Sequence, residues 1–212
     1  MRPTLPKIWI ITNPAHRDGP VAPLAKALED CPPGIVGVQL RAPEATDREL
    51  VAWGRSLRAI TRDVGATLTV NRRLDIAEIV GADGVHLPER ALSPGQARAH
   101  ASGLRLVGVS RHDRPGLVEA AEQGASFAFL SPVFDVPDKA LPMGIGGFRG
   151  AIAGVDLPTY ALGGIDATTV PALLRAGARG IAVRRAIYDA PDPKATLDAL
   201  LGALDNDPAN GE

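Results

Sequence analysis

Short apolar runs recur along this chain, and a Gly-Ala pair stands ahead of four of them. Gly65-Ala66 precedes Thr67-Leu68-Thr69-Val70, and Gly81-Ala82-Asp83 precedes Gly84-Val85-His86-Leu87. Gly124-Ala125-Ser126 precedes Phe127-Ala128-Phe129-Leu130, and Gly177-Ala178-Arg179 precedes Gly180-Ile181-Ala182-Val183. A helix-like stretch comes before each pair. Glycine one position past a helix end takes the left-handed conformation that stops the helix. The apolar run that follows is what a strand buried on both faces looks like. Four copies of one helix-to-strand junction predict a repeating βα architecture.

Residues 7–12, 35–40, 106–110 and 159–162 supply further strands, eight in all. Thr46-Asp47-Arg48-Glu49 and Ser93-Pro94-Gly95-Gln96 have the form of capping boxes that open helices, the second with proline at the first helical position. Asp192-Pro193 opens the last helix, and residues 205–212 form a polar tail. The 212 residues divide into about 26 per βα unit, within the range of a small (β/α)8 TIM barrel. A doubly wound sheet would need only five or six strands. The expected architecture is therefore α/β, one TIM barrel spanning 1–212, with the Pro- and Gly-rich stretch 132–150 as a long functional loop.

In such a barrel chemistry sits where strands end. Those positions hold Thr12, Asn13, Gln39, Arg41, Asn71, Arg72, Arg73, His86, Glu89, Ser110, Arg111, His112, Lys139, Gly163, Gly164, Arg184 and Arg185. The set is rich in cations although the whole chain is nearly neutral, with 23 basic and 24 acidic residues. Positive charge gathered at one mouth suits a small anionic ligand. Gly163-Gly164 ends one strand and Val183-Arg184-Arg185 ends the next, the pair of loops where barrels often hold phosphate. His86 and His112 are the candidate acid–base groups, each with a plain alternative: a packed histidine inside the barrel, and an exposed loop histidine.

Composition narrows the field. Balanced charge and few aromatic residues, 4% of the chain, argue against nucleic acid. No apolar run reaches the length of a membrane helix. A single cysteine, Cys31, excludes an internal disulfide and a cysteine-built zinc site, so a cytoplasmic location is expected. No histidine spacing suggests a metal site.

The strand-end segments resemble the thiamine phosphate synthase/TenI superfamily over nearly the whole chain. They are Val38-Gln39-Leu40-Arg41, Val70-Asn71-Arg72-Arg73-Leu74-Asp75, Gly81-Ala82-Asp83-Gly84-Val85-His86-Leu87 and Gly108-Val109-Ser110. Ser131-Pro132-Val133-Phe134, Lys139, Gly144, Ala161-Leu162-Gly163-Gly164-Ile165 and 177–183 continue the match in order. The resemblance implies a thiamine-biosynthetic role and a phosphate substrate. On the synthase pattern, Gln39, Arg41, Asn71, Ser110 and Lys139 would hold a pyrimidine pyrophosphate. Gly164, Arg184 and Arg185 would hold a thiazole phosphate.

The sequence departs from that pattern where the family binds magnesium. Arg72 and Ala91 occupy the positions of its two metal-binding aspartates, so no cofactor is expected unless the synthase chemistry holds. His86-Leu87-Pro88 followed by Leu92-Ser93-Pro94 and Gln96 is closer to the TenI branch. The leading expectation is a TenI-like thiazole phosphate isomerase (aromatase) using His86. The alternatives are a thiamine phosphate synthase and a non-catalytic binder of thiazole or thiamine phosphate. Homo-oligomerisation is compatible with the family.

Overall fold

A computed structural model describes residues 4–101, 103–137 and 141–205. Strands β1 (Ile8–Ile11), β2 (Val36–Leu40), β3 (Thr67–Asn71) and β4 (Gly84–Leu87) alternate with helices α1 (Ala22–Ala27), α2 (Asp47–Asp63) and α3 (Leu74–Ile79). Helix α4 (Pro94–His100), β5 (Leu106–Arg111), α5 (Arg114–Glu122), β6 (Phe127–Leu130) and α6 (Gly144–Ile152) follow. The chain closes with β7 (Thr159–Leu162), α7 (Val170–Arg175), β8 (Gly180–Val183), α8 (Arg185–Tyr188) and α9 (Pro193–Asp205). All strands pair in parallel, each with its sequence neighbour, and β8 returns to β1. The expected TIM barrel is the fold.

Its punctuation is local. The four repeat glycines, Gly65, Gly81, Gly124 and Gly177, all take positive φ, between 65° and 97°, as helix stops require. Thr46 and Ser93 complete their capping boxes with Glu49 and Gln96. Asp192 accepts the N–H of Lys194 at the head of α9. One expectation fails: 132–150 is not all loop, because α6 begins at Gly144. Ile145, Phe148 and Ile152 recur at helical spacing, and the burial of Phe148 outweighs the poor helix propensity of the glycines around it.

Side chains of a strand alternate between faces, so the barrel interior receives every second residue. Trp9, Ile11, Leu106, Phe127, Phe129, Tyr160 and Ala182 fill it as one cluster. The intervening residues, such as Ile8, Ile10, Val38, Val107 and Ile181, pack outward beneath the helices. The inner filling is lopsided. Trp9 stacks on Phe127 with centroids 4.7 Å apart and meets Tyr160 edge-on. Beside these large rings, in register on the adjacent strand, stand glycines: a Cβ on Gly37 would lie 2.5 Å from Trp9, and one on Gly108 would lie 2.3 Å from Phe127. Volume given to an aromatic ring on one strand is thus removed from the strand beside it.

At the N-terminal end of β4 the charges are paired. Asp83 accepts from Leu68 N–H, from Arg58 at 2.9 Å and from Arg105 at 2.6 Å. Burial alone would raise its carboxyl, but these donors outweigh it and hold its pKa below the ordinary range.

Gly37→Ala should lower stability by about 1–3 kcal/mol, because Trp9 is boxed in by Phe127 and Tyr160 and cannot step aside. Urea unfolding checks this: the expected midpoint is lower with the slope unchanged, and an unaltered midpoint would contradict the packing argument.

Candidate functional site

The parity that fills the barrel also builds its mouth. Register places Asn71 level with His86, and His86 level with Gly108. Ser110, two residues further along β5, therefore sits one inward layer above His86. Inward positions of β2 and β3 end in Gln39 and Asn71, and Gln39 Nε2 donates to Asn71 Oδ1 at 3.1 Å. His86 Nε2 lies 2.9 Å from Ser110 Oγ. The structure thus brings together Gln39 with Asn71 and Ser110 with His86.

Arg41 and Arg184 form the third part. Thr12, buried at the end of β1, donates from Oγ1 to the Arg41 carbonyl at 3.0 Å and accepts the Arg41 N–H at 2.8 Å. The clamp fixes Arg41 where β2 ends. Burial, and then the nearby Arg184 guanidinium, pull the Arg41 pKa below its ordinary value. Among the described residues neither guanidinium has a carboxylate partner. Two cations on the strands flanking β1, close enough to repel each other, leave a gap that an anion would relieve.

His86 is not at the open rim as the sequence suggested. It is fully buried, its ring stacked on Phe129 at 4.3 Å and tilted against Phe127 at 5.7 Å. Burial, then Arg111 and Arg41, push its pKa down to about 3. Burial thus holds the imidazole in its neutral form near pH 7, and His86 is the packed histidine inside the barrel that the sequence also allowed. His112 is exposed, with Nδ1 2.6 Å from the Ser131 carbonyl.

Two rim cations are also corrected. Arg73 is paired with Asp47 at 2.5 Å and Asp75 at 2.6 Å, which raises its own pKa. Arg111 has the outward parity of β5; it is buried and donates to the Gly116 and Ser110 carbonyls. Neither faces the mouth unengaged. Arg72 is exposed at the end of β3 with φ 64°, its N–H donating to the His86 carbonyl. Arg185 begins α8. Gly164 takes φ 64°, and a Cβ there would stand 2.8 Å from both Phe134 Cβ and the Asp135 carbonyl oxygen. The missing side chain is needed by the loop after β6, which docks on this turn through Phe134 N–H to the Gly163 carbonyl. Gly144 opens α6 with its N–H on the Val133 carbonyl. Lys139 lies outside the described residues. The Thr12 clamp was missed in the sequence; Thr12 and Asn13 were visible only as polar residues at a strand end.

Residues 8–187 match the family described as Thiamine monophosphate synthase. The chain belongs to that family. A thiamine-phosphate synthase of Thermus thermophilus is 35% identical over 199 residues, covering 92% of this chain and 96% of the relative. One of Salinispora arenicola is 35% identical over 205 residues, covering 95% and 98%. The structure of a thiamine phosphate pyrophosphorylase from Pyrococcus furiosus superposes with a TM-score of 0.85 at 31% identity, covering 94% of this chain and 95% of that one.

The residues present do not fit the magnesium ion that the thiamine monophosphate synthase family resemblance implies. Arg72 carries a cation where an oxygen ligand would be needed. Among the described residues no three histidine, cysteine, aspartate or glutamate side chains cluster closely enough to hold a metal. Asp47 and Asp75 are engaged by Arg73.

Two outcomes follow. In calorimetry, adding magnesium should change pyrophosphate affinity less than about threefold; tight magnesium-dependent binding would show that a metal site forms after all. Stability should fall with acid through His86. Its folded pKa lies below the unfolded value near 6.5, so the unfolded state binds more protons as pH drops through that value. Urea unfolding at about pH 7 and about pH 5 should show wild type losing about 2 kcal/mol more than His86→Gln over this interval. Parallel losses in both proteins would place the imidazole in a less buried setting.

Proposed function

We propose that this protein is a thiamine-phosphate synthase, joining a hydroxymethylpyrimidine pyrophosphate to a thiazole phosphate with release of pyrophosphate. The observation that carries the reading is the mouth itself: Arg41 and Arg184 guanidiniums, without a carboxylate partner among the described residues, beside the Gln39–Asn71 amide pair and the Ser110 hydroxyl. The names borne by the relatives support it. In the reaction a carbon–nitrogen bond forms between the pyrimidine methylene and the thiazole nitrogen while the bond to the pyrophosphate oxygen breaks, its electron pair leaving with that oxygen. Negative charge grows on the leaving group, and guanidiniums stabilise it through charge-assisted hydrogen bonds. Gln39 and Asn71 offer amide donors and acceptors suited to a pyrimidine edge. Arg184, Arg185 and the Gly163-Gly164 turn are the proposed thiazole phosphate end. No divalent cation is proposed; Arg41 and Arg72, with Lys139, carry the positive charge instead.

The isomerase expectation loses ground because the histidine it needed is buried and neutral. Supplied with both substrates and chelator, the protein should form thiamine phosphate and pyrophosphate in equal amounts. Arg41→Ala should lower kcat/KM about 10–100-fold, the loss of a charged hydrogen bond. Absence of product with or without magnesium, together with tautomerisation of a thiazole phosphate carboxylate, would reverse the assignment.

A further inference from the structure

A serine hydroxyl has one proton to give. Among the described residues, the side-chain partner of Ser110 is His86 Nε2, at 2.9 Å. If Nε2 is bare, Ser110 donates to it and shows the mouth only lone pairs. If Nε2 carries the proton, Ser110 accepts from histidine, and its own proton is left for whatever enters the mouth. The tautomer of a buried imidazole therefore fixes whether Ser110 attracts or repels an anionic oxygen.

The surroundings of the other ring nitrogen distinguish the two. His86 Nδ1 is buried and has no hydrogen-bond partner. It faces the space above Gly108, where a Cβ would be only 2.7 Å away, and the ring is enclosed by Phe127 and Phe129. A proton on Nδ1 would be a buried donor with no acceptor, which is rarer and costlier than an acceptor left without a donor. We propose that His86 is a positioning residue, held as the Nε2–H tautomer, which donates to Ser110 Oγ and so turns the Ser110 hydroxyl into a donor toward an anionic substrate oxygen. On the synthase reading, on which only the effect on turnover rests, that oxygen belongs to the departing pyrophosphate. The proton stays on Ser110 throughout; it is shared in a hydrogen bond and not transferred.

Long-range proton–nitrogen correlation spectra of ¹⁵N-labelled protein test the tautomer without any substrate. His86 is one of four histidines, assigned by the signal lost in His86→Gln. Its Nε2 is expected in the protonated range and Nδ1 in the unprotonated range; a protonated Nδ1 would overturn the proposal. The kinetic arm compares Ser110→Ala, His86→Leu, His86→Gln and the double variant Ser110→Ala/His86→Leu. His86→Leu should lower kcat about 10–100-fold with both KM values within about threefold, and the double variant should be no slower than Ser110→Ala. His86→Gln, which can present an amide N–H near the Nε2 position, should recover most of the loss. Additive losses, or no loss in His86→Leu, would reject the positioning role. If the leucine variant does not fold, the glutamine variant and the spectra decide. If wild type makes no thiamine phosphate, the synthase reading fails while the spectra still decide the tautomer.

Discussion

Eight short parallel strands closed on themselves admit only alternate residues to the interior, and that parity constraint organises the whole molecule. One residue set, taken two at a time, runs from the packed floor to the open mouth: Gly37 to Gln39, Thr69 to Asn71, Gly108 to Ser110. The lower members set volume and the upper members set chemistry. A shift of one residue in any strand would exchange both at once. Arg111 shows the rule from the other side. It stands beside Ser110 in sequence, yet its parity carries it outward to brace the head of α5.

Charge is handled oppositely at the two ends. At the N-terminal end Asp83 is satisfied by two arginines and a backbone N–H, so its electrostatics are complete within the fold. At the C-terminal end Arg41 and Arg184 repel each other, and Thr12 holds the backbone that prevents Arg41 from moving away. The closed end favours stability, and the open end retains unmet demand that a ligand can satisfy. The buried His86 joins the two regimes, packed like a core residue below and hydrogen-bonded to the mouth above.

Much of the fold was legible in the sequence because its signals are local. A glycine that must turn left, a capping box and an apolar run each act within a few residues. Helix α6 escaped because its glycines mask a helical spacing that becomes decisive only once Phe148 has a core to enter. The site was legible as a set of residue types at strand ends, but not as partners. Arg73 looked free because only the turn into α3 brings Asp75 back onto it, and its second partner, Asp47, lies 26 residues away on α2. Whether His86 reached the mouth or packed inside the barrel stayed open because its depth depends on the register of β4 against β5, which no local pattern reveals. Applying strand parity to the sequence would have separated Arg111 from Ser110 and set His86 one layer below it.

The repeated junctions give the chain the look of an assembly of interchangeable units, yet its interior denies that modularity. Trp9 belongs to β1 and leans on Phe127 of β6; His86 belongs to β4 and leans on Phe129 of the same strand. A fragment ending after the fourth strand would hold an indole and an imidazole without the rings they stack against, and Gly84 without the Leu106 that packs over it. Half-barrels of this sequence would therefore be unfit as independent modules. The repeat in the junctions does not extend to the core, where ring contacts run from the first half of the barrel to the second.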